Sequence, residues 1–184
     1  RENRKWVLEN AKDKKVLNLF SYTSGFSVLS ALGQAKEIDT VDVSQNFIEW
    51  SKRNFEINQV LSSESYRFWV QDCLFFLKMS VKKEKKWDLI ICDPPTFGRS
   101  KNGVFQIEKN FDELLQNIFT CTEKQGRILF SLNFEKWNQQ YLINKVEKAL
   151  KEKKFAIEKT PFQSLDFDFP HYDHLMKSLF ISRL

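Results

Sequence analysis

Trp87-Asp88-Leu89-Ile90-Ile91-Cys92-Asp93-Pro94-Pro95-Thr96-Phe97 is the stretch on which the fold turns. Its first six residues form a short apolar run, which reads as a strand buried on both faces. Two consecutive prolines then end the ladder, because neither has an N–H to donate. The chain leaves the sheet there with fixed φ angles and free carbonyls, between an acid and an aromatic ring. In an open α/β sheet, ligands bind in the crevice beyond the carboxyl ends of the strands. An Asp-Pro-Pro-x-Phe corner at that place offers acceptors to a planar polar group and a ring to stack on it, which suits a nucleobase. The competing reading is a tight strand-to-loop turn with a buried Phe.

The segments on either side alternate between strand and helix. Before the corner, Val16–Phe20, Ile38–Val43 and Tyr66–Val70 read as strands. The intervening helices are Phe26–Leu32, closed near Gly33, one capped by Ser44 and carrying Phe47, Ile48, Phe55 and Ile57, and Cys73–Val81. After it come a basic, glycine-containing loop over Gly98–Gly103, a helix over Phe105–Thr122, a strand over Arg127–Leu132 and a helix over Asn138–Lys151. Phe155–Glu158 and Leu179–Ser182 are the last strands, with no helical period between them. The pattern predicts an α/β fold with a doubly wound, mostly parallel, seven-stranded sheet of Rossmann-like type. An antiparallel C-terminal hairpin is expected at one edge. Residues 1–184 read as a single domain, with residues 1–14 as an amphipathic lead-in helix.

The turn after the first strand, Asn18-Leu19-Phe20-Ser21-Tyr22-Thr23-Ser24-Gly25, has one glycine where a dinucleotide fingerprint wants three. It can approach a ligand but is not built for a pyrophosphate, which disfavours a nicotinamide oxidoreductase. Asp42, with Val43, ends the second strand, where a carboxylate can accept both hydroxyls of a ribose. Asp72 ends the third, beside the Cys73 backbone, where it can meet an adenine edge. Singly, each has a plainer reading: a turn glycine, a polar strand end, a helix N-cap. With Asp93 ending the fourth strand, the four outline a site for an adenosine-containing ligand without a diphosphate.

The chain of 184 residues carries a formal charge of +5, which permits a polyanionic partner without requiring one. No apolar run reaches the roughly 20 residues that span a bilayer, and no signal peptide is visible. Cys73, Cys92 and Cys121 are odd in number and far apart, so they suggest neither a disulfide framework nor a metal site. His171 and His174 have no cysteine partners nearby. The expectation is a cytoplasmic protein without a metal.

Val16–Thr23, Thr40–Ser44, Glu49–Asn54 and Asp93–Phe97 resemble class I S-adenosylmethionine-dependent methyltransferases. More closely, they resemble the guanine-N7 methyltransferase domain of the bacterial 23S ribosomal RNA enzymes of the RlmKL family. The resemblance covers nearly the whole chain. It implies S-adenosyl-L-methionine as cofactor, with Asn18, Phe20, Ser21, Tyr22, Thr23 and Gly25 along its methionine part, Asp42 at the ribose and Asp72 at the adenine amino group. It places Asp93, Pro94, Pro95 and Phe97 against an extruded base. It also implies large-subunit ribosomal RNA as partner and a longer parent chain, of which this is the C-terminal part.

A sister group with the same turn methylates cytosine C5, through a cysteine after the fifth strand in a Phe-Ser-Cys setting. Here that stretch is Phe130-Ser131-Leu132-Asn133, without a thiol, and Asn133 matches in part the Asn-rich stretch of the guanine-N7 relatives. Arg99 and Lys101 are expected at RNA phosphates, against the plainer reading of a solvated loop. Phe162–His174 is expected either to close over the substrate or to pack on the sheet edge. The competing functions are a methyltransferase of an exocyclic amine or of cytosine C5, and a catalytically idle RNA-binding module of the same fold.

Overall fold

In the computed structural model, which describes residues 2–60, 64–101, 103–150, 154–158 and 176–184, Trp87–Cys92 is a strand in the middle of a seven-stranded sheet. The first half of the chain gives α1 (Glu2–Asn10), β1 (Lys15–Leu19), α2 (Gly25–Leu32), β2 (Glu37–Asp42), α3 (Gln45–Ile57), β3 (Tyr66–Val70) and α4 (Cys73–Lys82). Then come β4 (Trp87–Cys92), β5 (Phe97–Ser100), β6 (Gly103–Gln106), α5 (Ile107–Cys121) and β7 (Thr122–Asn133). The chain closes with α6 (Gln139–Leu150), β8 (Phe155–Ile157) and β9 (Met176–Arg183).

The sheet order is β3-β2-β1-β4-β7-β9-β8, parallel through β7, with β9 antiparallel to both its neighbours. The expected antiparallel pair is therefore present, but β9 is inserted beside β7 and leaves β8 at the edge. From β1 the chain winds outward through β2 to β3, then returns to β4 and winds the other way. This puts the topological switch point between β1 and β4, where a crevice opens at the carboxyl ends.

The alternation within each central strand divides the core in two. Leu17, Leu19, Ile90, Cys92, Ile128 and Phe130 face α4, α5 and α6, whereas Val16, Leu89, Ile91 and Leu129 face α1, α2 and α3. Strands covered on both faces are mostly apolar, hence the run Leu89-Ile90-Ile91-Cys92 in β4. Val7 anchors α1 and is fully buried, which contributes roughly 2 kcal/mol. Gly33 lets α1 close on α2, since a Cβ there would lie 2.3 Å from the Leu8 carbonyl oxygen.

Asp39 brings a carboxylate into the core. It is buried on β2 and accepts from Arg67 Nε (2.8 Å) and Nη2 (2.9 Å), Trp69 Nε1 (2.7 Å) and Trp87 Nε1 (2.9 Å). Burial pushes its carboxyl up, but the Arg67 and tryptophan donors outweigh burial and hold it below the ordinary aspartate value. A depressed folded pKa contributes stability above the unfolded pKa and loses it as pH falls through the folded one. Asp39→Ala leaves the buried Trp87 N–H without an acceptor, so it is expected to cost about 3 kcal/mol. That is a drop of about 10 °C in melting temperature, read by circular dichroism at neutral pH, and smaller in strong acid.

Three local expectations need correction. Gly98–Gly103 is not an irregular loop: Phe97–Ser100 pairs antiparallel with Gly103–Gln106 as a separate two-stranded hairpin. Phe105 belongs to that hairpin, and the helix expected from Phe105 begins at Ile107. Strand β7 begins at Thr122 rather than Arg127; the Trp87–Thr122 pair is followed by Leu89–Arg127, so the residues between loop out. The Phe162–His174 segment lies outside the described residues.

Candidate active site

The turn from β1 into α2 carries backbone strain at Phe20 (φ 54°), Tyr22 (φ 49°) and Ser24 (φ 64°), all left-handed and none a glycine. Such conformations persist where neighbouring groups over-determine them, and they concentrate at functional sites. The neighbours here come from α3. Ser51 Oγ lies 2.5 Å from Ser24 Oγ and donates to the Tyr22 carbonyl (3.2 Å), and Asn54 Nδ2 donates to the Thr23 carbonyl (2.8 Å). The Phe20 N–H donates to Cys73 Sγ at the head of α4 (3.2 Å).

Asp42 ties this turn to the end of β2. Its carboxylate accepts from the Tyr22 N–H and the Ser44 N–H, both at 2.9 Å. Each carboxylate oxygen keeps a further lone pair. Burial raises the Asp42 carboxyl above the ordinary value, against the backbone donors of Ser44, Tyr22 and Val43. Asp72 caps α4 by accepting from the Phe75 N–H at 2.9 Å, so the plainer reading of this residue is correct as far as one oxygen goes.

Asp93 follows β4 in a different state. Among the described residues its carboxylate has no hydrogen-bond or ionic partner, and burial alone pushes it up. Pro94 is buried and Pro95 exposed, and the corner is pinned by the Ile107 N–H donating to the Thr96 carbonyl at 3.1 Å.

These groups surround one cleft of about 600 Å³ at the carboxyl ends of β1, β2 and β4. Phe20, Tyr22, Asp42, Val43, Asp72 and Cys73 line one side; Asp93, Pro94, Pro95 and Arg99 line the other, with Asn133 at the end of β7. Asn18, Ser21, Thr23, Gly25, Phe97 and Lys101 do not line it. The Asn18 amide instead donates to Ser27 Oγ at 2.8 Å, inside the sheet–α2 contact. Gly25 heads α2, and a Cβ there would meet nothing within 4 Å. Phe97 is half-exposed on the hairpin, with the Arg99 guanidinium 5.6 Å from its ring. Lys101 is exposed.

Two aromatic residues of the cleft escaped the sequence reading. Phe47 sits in the first turn of α3, edge-on to Tyr22 at 4.4 Å; its signal was the Ser44 cap three residues earlier, which fixes where the helix begins. Phe105 packs on Phe20 at 5.1 Å from β6 and carried no local signal, because the hairpin was not foreseen.

A family model for S-adenosylmethionine-dependent methyltransferases matches residues 1–171. The chain belongs to this family. A large-subunit ribosomal RNA methyltransferase K/L of Shewanella pealeana is 35% identical over 184 residues, which is 99% of this chain and 24% of that protein. Its namesake in Pseudoalteromonas translucida is 41% identical over 132 residues, 71% of this chain and 18% of the relative. The chain thus spans about a quarter or less of the length of these curated relatives. Among solved structures, a methyltransferase in complex with SAH superposes with a TM-score of 0.84 at 26% identity, covering 98% of this chain and 48% of that one. An S-adenosylmethionine-dependent methyltransferase from Streptococcus mutans gives 0.82 at 25% identity, covering 99% and 48%.

The cofactor of this methyltransferase is S-adenosyl-L-methionine, and the cleft fits it on its own geometry. It offers a buried carboxylate at Asp42 and an exposed apolar Val43 beside it for a flat ring. No group of His, Cys, Asp and Glu among the described residues could hold a metal ion, and no helix among them is long and apolar enough to cross a membrane.

Proposed function

We propose that this chain is the base-methylating unit of a longer cytoplasmic enzyme, acting on guanine N7 of 23S ribosomal RNA. The observation that carries the reading is Asp93. It is a carboxylate desolvated by burial, without a partner, at the switch-point end of β4 and in the same cleft as Asp42. Asp93 is half-buried, so a partnerless acceptor there is open to the donor of a ligand in the cleft.

S-adenosylmethionine, when bound, supplies an electrophilic methyl group on a sulfonium. The protein's task is then alignment, worth up to roughly 7–11 kcal/mol in well-oriented systems. Guanine N7 has a lone pair and no proton to lose, so no strong general base is needed. Asp42 accepts the ribose hydroxyls and Asp72 the adenine amino group. Asp93 and the Pro94 carbonyl, which takes no hydrogen bond among the described residues, accept from the amino and imino edge of the base. Phe97 stacks on a base extruded from its helix, and Arg99 and Lys101 meet phosphates. Asn133, exposed at the far lip, contacts the substrate from β7.

The thiols support a route without a covalent base adduct. Cys73 lines the cleft, but burial raises it well above the ordinary cysteine value, as it does Cys92, and Cys121 is pushed up to about 11. A thiol held protonated is a poor nucleophile toward cytosine C6.

The test is to incubate the protein with 23S ribosomal RNA and methyl-labelled cofactor, then map the product nucleotide. N7-methylguanine is expected. Label at cytosine C5 or on an exocyclic amine overturns the N7 assignment while leaving the methyltransferase itself intact.

A further inference from the structure

A second concavity, of about 690 Å³, has no part in the site described above. Its walls are the α4–β4 loop, the end of α5, and strands β8 and β9. These lie at the amino-terminal pole of the parallel strands, one β4 length from the cofactor cleft, roughly 20 Å. Lys85, Lys86, Lys154 and Arg183 converge on it, with Glu84 as the one acid in its wall.

The lysines are unmatched. Some surface lysines find carboxylates, as Lys15 does with Glu37, Lys78 with Glu113 and Lys136 with Glu108, and others such as Lys12, Lys36 and Lys124 stand singly among the described residues. Here no carboxylate lies within 4.0 Å of Lys82, Lys83, Lys85, Lys86 or Lys154 among the described residues. The floor is aromatic: Phe155 packs on Phe119 at 4.8 Å, with the Arg183 guanidinium 5.7 Å from the Phe155 ring. Lys85 stands 5.7 Å from the Trp69 ring.

Helix ends account for part of this. Both α4 and α5 finish at this pole, and their free carbonyls favour nearby cations. Arg183 on β9 is engaged in the same way, its Nη1 donating to the carbonyl of Thr122 at the end of α5, but the helix ends do not account for Lys154, just ahead of β8, nor for the aromatic floor. Cations from three separate segments around a pair of tilted rings form the combination that binds a nucleic-acid backbone with a base lying on the rings.

We propose that this cleft is a second RNA-binding site, which takes a phosphate and an unpaired base of the substrate RNA on the pole opposite the methyl-transfer cleft. The proposal rests on the reading of the chain as an RNA methyltransferase. Two contacts about one strand length apart orient an RNA far better than one, and the second one needs no role in the chemistry.

The experiment compares the wild type, a Lys85→Ala/Lys86→Ala/Lys154→Ala protein and a charge-matched Lys5→Ala/Lys12→Ala/Lys52→Ala control. Binding to protein-free 23S ribosomal RNA is followed across salt, alongside methyl transfer. The cleft variant is expected to bind RNA at least about 10-fold more weakly at low salt, and its log–log salt slope to shrink by about 0.7, the value for one lost phosphate contact. The S-adenosylmethionine affinity and kcat at saturating RNA are expected to be unchanged, and the control to behave as wild type. If the triple variant does not fold, Lys86→Glu, at an exposed position, takes its place. A wild-type protein that neither binds nor methylates this RNA removes the functional reading and the inference together. An active wild type whose cleft variant keeps its RNA affinity and salt slope overturns the inference alone, leaving the lysines as partners of the helix ends.

Discussion

Asp42→Ala is expected to weaken S-adenosylmethionine binding about 100-fold, measured by calorimetry at neutral pH. Two charge-assisted hydrogen bonds to a ribose diol contribute roughly 1.5 kcal/mol or more each, and about 3 kcal/mol is two decades in affinity. The side chain also holds the Tyr22 and Ser44 N–H groups, so some of the loss comes through the strained turn. A folded Asp42→Ala protein with unchanged affinity removes the ribose assignment. The pH dependence is a second readout. Burial raises the Asp42 carboxyl, so acceptor strength is lost on acidification in a window that opens above the ordinary value of 3.8. For folding the sign is reversed. A raised folded pKa contributes stability that is present at low pH and lost as pH rises through it. Affinity therefore falls on mild acidification while this residue's own contribution to stability grows, which separates loss of binding from unfolding.

The second large effect is at Asp93. Asp93→Ala is expected to lower kcat/KM for RNA by on the order of 10- to 100-fold, the loss of a charge-assisted contact to the base. Cofactor affinity changes little, because the ribose is held by Asp42. Stability moves the opposite way from activity. The Asp93 carboxylate is desolvated with no partner, so its removal leaves the melting temperature unchanged or higher. A variant that is both less active and markedly less stable points instead to a structural role in the corner. Undiminished methyl transfer removes Asp93 from the pocket chemistry altogether.

The parts of the cleft legible in the sequence share one property: local rules place them. Asp42, Asp72 and Asp93 stand where strands end, and a strand end is marked by the break of an apolar run, by a cap such as Ser44, or by two prolines. The remaining parts depend on chain brought from elsewhere. Phe105 reaches Phe20 because Phe97–Ser100 pairs with Gly103–Gln106, a hairpin of four-residue strands too short and too mixed in composition to show a period. The resemblance places Asn18 along the cofactor, and its amide donates to Ser27 Oγ across the sheet–helix contact. Gly25 looked like the point of close approach, but the unusual backbone is carried by Phe20, Tyr22 and Ser24, held by Ser51 and Asn54 of α3.

By itself the sequence determined the layering, the parallel order of the central strands and the rim on which three acids gather. Burial on both faces leaves a strand only apolar choices, and that constraint is written residue by residue. Tertiary structure alone decided which side chains look into the cleft, how the turn after β1 is strained, and that lysines from distant segments meet over an aromatic floor at the far pole. Those features depend on contacts between segments far apart in the chain, and local pattern carries no record of such contacts.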